Sequence, residues 1–191
     1  MRKYCNICGL EVEFTEYSGE QITELRGNSH AELRENSHAQ CNSPYACSIL
    51  KSVTASASGR HIGDKPLTAK QYLDSTGVKI TKGEAILFKS VRANFCNGRD
   101  GKMLYIIGQE ISAPDWDANS KDECGKGLHL SPTAKQAASF YDNTTYLACR
   151  VKIEDIAALP AFAQYPDKIR VRACTPLYQC DIDGNEIIKQ V

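Results

Sequence analysis

The chain has 191 residues, with 23 Lys and Arg balanced by 23 Asp and Glu, and 42% of it is hydrophobic. That is room for one ordinary domain or two small ones around a core; it excludes a disordered tail, and the lack of excess positive charge excludes general coating of nucleic acid. No apolar run approaches a membrane span and none follows the basic start, so a soluble, unexported, cytoplasmic protein is expected. Its nine cysteines, an odd number, read as reduced thiols with room for one metal site.

The first feature in chain order is Cys5-Asn-Ile-Cys8-Gly, a Cys-x2-Cys-Gly knuckle that lets two thiolates meet one tetrahedral zinc. The matching pair, Cys41 and Cys47, has five residues between its members. A closed zinc site on Cys5, Cys8, Cys41 and Cys47 is one reading, with His30 or His38 able to substitute. In the other, Cys41 is a small core residue and the histidines are exposed ladder positions.

Between these cysteines, Glu-Leu-Arg-Gly-Asn-Ser-His-Ala over 24–31 returns as Glu-Leu-Arg-Glu-Asn-Ser-His-Ala over 32–39. Sliding the eight-residue period outward aligns Phe14, Ile22, His30 and His38 in one column and Tyr17, Leu25, Leu33 and Cys41 in another. A helix smears an eight-residue period around its axis, whereas short strands joined by polar corners stack equivalent residues into ladders, so a small β-solenoid or stacked hairpin is expected over 1–51. An uncapped ladder has open edges, which points to a homodimer through this module. The run Ser52 to Gly63 is rich in Ser, Ala and Gly, and residues 52–65 read as a linker.

Residues 66–191 read as a second domain. Pro66 to Asp74 gives a short helix stopped at Gly77. Ala85–Lys89 and Met103–Ile107 are strand-like and joined by Asn-Gly and Asp-Gly, which predicts a hairpin. Ser112 to Gly127 is a long polar loop holding the single Trp, Trp116. Leu128-His-Leu-Ser is a short strand, followed by a helix with Ser131 as N-cap and Pro132 in its first turn. Three strands follow, at 146–153, 168–174 and 177–182. The expected class is α+β, mainly antiparallel sheet with few short helices.

The segment Cys124-Gly-Lys-Gly-Leu-His-Leu-Ser-Pro-Thr-Ala-Lys-Gln-Ala-Ala-Ser-Phe-Tyr141 resembles the Gly-x-Gly-Ile-Tyr-Phe-then-helix signature of poly(ADP-ribose) polymerases and other ADP-ribosyltransferase-like folds. Its Gly-Leu-His-Leu-Ser wording also resembles the tRNA 2′-phosphotransferases of the same superfamily, and the Gly-Asn-Ser-His repeats resemble arrays in phage and bacterial proteins. The resemblance implies a phage-type accessory protein that binds NAD or a related nucleotide and transfers or hydrolyses ADP-ribose; the alternative is a non-catalytic binding or structural phage protein that acts on a host protein through the β-repeat module.

Within that resemblance, Gly125 and Gly127 would let backbone approach the ligand, His129 would offer a flat face to nicotinamide, and the Ser131 hydroxyl would meet ribose or phosphate. The family's first-strand Arg or His falls at Lys89 or Arg92. Its late-strand glutamate is missing from Tyr165-Pro-Asp-Lys-Ile-Arg, where Asp167 and Lys168 stand instead, with Arg170 beside them for an anion. Cys124 close to His129 also raises a thiol nucleophile, for which no orienting third group is visible.

Overall fold

A computed structural model describes residues 2–4, 11–26, 29–42, 46–58, 61–63, 65–119, 121–141, 143 and 145–187. The chain divides into one unit of Met1–Leu67 with Pro160–Gln164, and another of Thr68–Leu159 with Tyr165–Val191. It is mostly β-sheet with few short helices, an α+β chain. Among the described residues no helix is long and apolar enough to cross a membrane.

The octapeptide is half of a structural turn. β1 (Arg2–Tyr4) and β2 (Glu11–Tyr17) pair antiparallel. After them the chain alternates between two parallel ladders through β3 (Ile22–Leu25), β4 (His30–Leu33), β5 (His38–Cys41), β6 (Cys47–Leu50), β7 (Ser56–Ser58) and β8 (His61–Ile62). One ladder runs β1-β2-β4-β6-β8 and the other β3-β5-β7. Phe14 lies opposite His30 and Ile22 opposite His38, each pair sixteen residues apart, so each single column of the eight-residue reading is two columns on two sheets.

The interior is built from small and medium side chains, Leu25, Ala31, Leu33, Ala39, Ala46, Leu50 and Ala55, with Tyr17, Cys41, Ala57 and Phe162 against them. The stretch read as a linker is therefore part of the repeat. Its Ser and Ala residues form β7, pairing His38 with Ser56 and Ala39 with Ala57, and residues 61–62 form β8 against β6. The boundary moves to Leu67. Small residues that look like a flexible connector are what a thin solenoid interior requires.

The second unit opens with α1 (Ala69–Ser75), capped by Thr68 and Gln71 in a reciprocal box and ended at Thr76 before Gly77. β9 (Ile80–Thr81) and β10 (Glu84–Val91) follow; the expected partner at 103–107 is no strand. β10 spends its length on β13 (Thr145–Lys152), from Glu84 opposite Lys152 to Val91 opposite Thr145. The Asn-Gly and Asp-Gly turns instead shape a loop tied by the bridges Val91 to Asn97 and Cys96 to Leu104. Sequence marks Ala85–Lys89 as a strand but carries no signal for a partner about sixty residues later.

β11 (Ile111–Ser112), β12 (Leu128–Leu130) and α2 (Ala134–Ala138) lie between β10 and β13, and β14 (Ile169–Val171) and β15 (Ala173–Cys180) close the chain. The sheet order is β11-β15-β13-β10-β9, with β12 and β14 as a separate antiparallel pair. The two late strands expected at 168–174 and 177–182 divide instead at Arg172. β15 runs through Pro176, where a register shift against Ala148 and Cys149 accommodates a residue with no N–H to donate. Thr133, not Ser131, caps α2, accepting from the Gln136 amide at 3.1 Å.

Candidate functional site

Strands β10, β12 and β14 bring the sequence-selected residues together. His129 is paired in register with Arg170, and Ser131 is bridged to Phe88, which ties β12 to the strand that carries Lys89. The Lys89 ammonium donates to the His129 carbonyl at 2.8 Å and lies 5.8 Å from the ring centre of Tyr105. Of the two first-strand candidates, Lys89 belongs to this cluster. Arg92 donates to the Gly98 carbonyl at 3.1 Å and organises the 92–105 loop.

Around His129 the charges are positive. Its pKa is pushed down to about 4, first by removal of the ring from water and then by Lys168, Lys89 and Arg170; a hydrogen bond to the Glu123 backbone works weakly the other way. The ring is therefore neutral at neutral pH, and its Nε2 is enclosed with no hydrogen-bond partner. Lys89, also withdrawn from water, has its pKa lowered to about 8, so at neutral pH it remains mainly an ammonium. Burial pushes the Tyr105 phenol well above its ordinary range.

Lys168, the residue before β14, completes the cluster. Its ammonium sits 4.9 Å from the Phe140 ring centre and 4.7 Å from that of Tyr165, rings that meet edge to face at 6.3 Å, and it approaches the Cys124 thiol at 3.4 Å. Lys89 and Lys168 thus flank a neutral imidazole among three aromatic rings. Such a combination suits an anionic ligand with a flat ring system: cations for phosphate, rings for stacking, and one unspent ring nitrogen.

Several sequence candidates have other employment. Arg170 is buried and donates to the carbonyls of Asp117 at 2.7 Å and Lys126 at 2.8 Å, and to that of Asn119, while its guanidinium lies 5.6 Å from the Trp116 ring centre. It is the post around which the 113–127 loop is wrapped, not a free anion hand. Gly127, at φ +138°, has room for no Cβ, since one would stand 3.0 Å from Trp116; a Cβ on Gly125 would crowd Asp122 and Arg170 at 3.0 and 3.1 Å. Both glycines are thus explained by loop packing.

Ser131 is buried, with its backbone exchanging hydrogen bonds with Phe88. Asp167 lies where its charge, with that of Glu123, acts on the buried Tyr72 phenol, whose pKa is raised mainly by burial. Glu123, which sequence reading passed over, accepts the Tyr165 amide and so fixes an aromatic wall. Tyr105, Phe140 and Tyr165 were also missed, because isolated aromatics in loops and at a helix end have no spacing to mark them. A concavity of about 510 Å³ is lined by Trp116, Ala118, Glu154, Ile156, Ala157, Ala158 and Arg172, not by the His129 cluster.

Of the zinc set, Cys5 and Cys8 lie outside the described residues. Cys41 sits beside the solenoid interior with its thiol 3.7 Å from the Ser48 hydroxyl, and Cys47 is buried opposite His30 on the other ladder. Neither histidine is the exposed ladder position the second reading expected: His30 is buried edge to face with Phe14 at 5.4 Å, and His38 Nδ1 is 2.9 Å from the Ser56 hydroxyl. Among the described residues no three His, Cys, Asp or Glu side chains gather as a metal site. No protein-family model, curated protein or solved structure matches the chain.

Proposed function

We propose that the second unit is a nucleotide-binding domain of ADP-ribosyltransferase-like kind, which takes NAD or a related nucleotide at the cluster of Lys89, His129 and Lys168. The observation that carries this reading is the convergence of two cations, a neutral histidine with an unpartnered Nε2, and the rings of Tyr105, Phe140 and Tyr165 around β10 and β12. Phosphates would lie against the ammonium groups, and a base or nicotinamide ring against the aromatic walls.

Binding without turnover is favoured over transfer. Cleaving a nicotinamide–ribose bond develops positive charge on the ribose, which a carboxylate aimed at the site would stabilise. Here the nearby Glu123 carboxylate accepts the Tyr165 amide. The domain then serves as a module that senses or carries a nucleotide, with a host protein as the partner of a phage-type accessory role.

Thermal unfolding with and without millimolar NAD or ADP-ribose, followed by assay of nicotinamide in the same samples, tests both statements. A ligand at a hundred times its dissociation constant adds about 2.7 kcal/mol. The expected result is a rise in Tm without nicotinamide release, abolished in Lys168→Ala. Release would restore the enzyme reading, and no shift with either nucleotide would sink the proposal.

A further inference from the structure

The two ends of the solenoid are closed differently. At the β8 end, residues 160–164 cover the interior: Phe162 packs against the apolar cluster and its amide donates to the Gly63 carbonyl at 2.6 Å. There too the buried Lys51 ammonium donates to the carbonyls of Ala163 and Gln164 at 2.8 and 2.7 Å. At the other end, β3 is the outermost strand of its ladder, and among the described residues no strand lies outside it. The carbonyls of Gln21 and Leu25 accept from His38 and Asn42, so residues 21, 23 and 25 turn their backbone groups toward β5. In a parallel ladder the alternate residues Ile22, Glu24 and Arg26 then point theirs outward. Ile22 is 83% exposed. An edge of this kind is a template for another strand.

We infer that this edge is the interface of a symmetric homodimer in which β3 pairs antiparallel with β3 of a second copy. Pairing β3 with its own copy uses the same edge on both partners, so the contact is isologous and closes as a two-fold. Charge selects the register. Setting Glu24 against its own copy brings two carboxylates together, and setting it against Ile22 puts each Glu24 carboxylate opposite an apolar side chain and moves Arg26 opposite Glu20, before the start of β3. Setting Glu24 against Arg26 forms two mirrored ion pairs and puts Leu25, buried in its own copy, on the axis facing the second Leu25, so that one interior continues into the next. Glu24 and Arg26 already meet at 2.6 Å within one chain while 52% and 78% exposed, so exchanging partners costs little. Backbone hydrogen bonds and apolar burial are what the pairing adds.

Light scattering on the full chain tests this, with wild type expected at twice 21.1 kDa. Glu24→Lys and Arg26→Glu each set like charges opposite each other at two places and are expected to give monomers. The double swap Glu24→Lys with Arg26→Glu is expected to recover the dimer. Both side chains are more than half exposed, so the variants keep the fold, which circular dichroism checks. A monomeric wild type, a single variant that stays dimeric, or a double swap that stays monomeric overturns the inference.

Discussion

At the scale of one residue, His129 has two roles that its position in the sequence does not separate. Its carbonyl holds the Lys89 ammonium, and its ring is kept neutral by burial and by Lys168, Lys89 and Arg170. A histidine whose folded pKa is lowered to about 4 leaves the unfolded chain, titrating near 6.5, to take the proton first. The stability this group contributes is complete above about pH 6.5 and is lost as pH falls toward 4, by up to about 3 kcal/mol if the whole shift is expressed. Melting wild type and His129→Gln across that window checks it: wild type should lose more Tm than the variant on acidification. Parallel curves would show that the ring is not held neutral by the fold. The alternation Leu128, His129, Leu130 was enough to place the ring on a different face from two core leucines, but the three cations come from strands distant in sequence, so its titration was not legible there.

At the scale of an element, the 113–127 loop shows how residues that stand out as ligand groups can be taken up by packing within their own chain. Gly125, Gly127 and Arg170 stand out in the sequence because glycine-rich turns and alternating arginines are what ligand sites use. Here they serve Trp116 and three backbone carbonyls, a loop filled by its own chain. The long loop was legible from its polarity, whereas the fact that its interior is a guanidinium from β14 depends on the pairing of β12 with β14, which no local pattern encodes. Arg170→Lys keeps the charge but cannot span three carbonyls with one ammonium, and each buried carbonyl left without a donor costs about 1–3 kcal/mol. We expect hydrogen exchange in 113–127 to quicken and Trp116 fluorescence to shift toward that of a solvated indole, with β10 and β13 unchanged in protection. An unaltered loop in this variant would mean that the arginine is not its anchor.

At the scale of the whole molecule, the solenoid was legible where its repeat is strict and lost where it is not. The strands from β2 to β5 keep the sixteen-residue spacing, but His30 to Cys47 takes seventeen residues and His38 to Ser56 eighteen, so β6 and β7 drop out of any fixed-period reading. More fundamentally, the end of the repeat is closed by residues nearly a hundred positions later, since 160–164 belong to the first unit. A stack of thin coils gains stability mainly from neighbours, so its last coil depends on its cap. Phe162 supplies that cap in a left-handed backbone conformation, φ +55°, which an ordinary side chain adopts only when surrounding contacts hold it there. Phe162→Ala removes the ring from the interior at a cost of about 2 kcal/mol, below the range for a fully buried phenylalanine because this one is partly exposed. The loss should be local in a quasi-one-dimensional fold: exchange should rise first in β7 and β6, next to the cap, and less in β4. Equal loosening of every strand, or none in β6 and β7, would show that the solenoid does not depend on this closure.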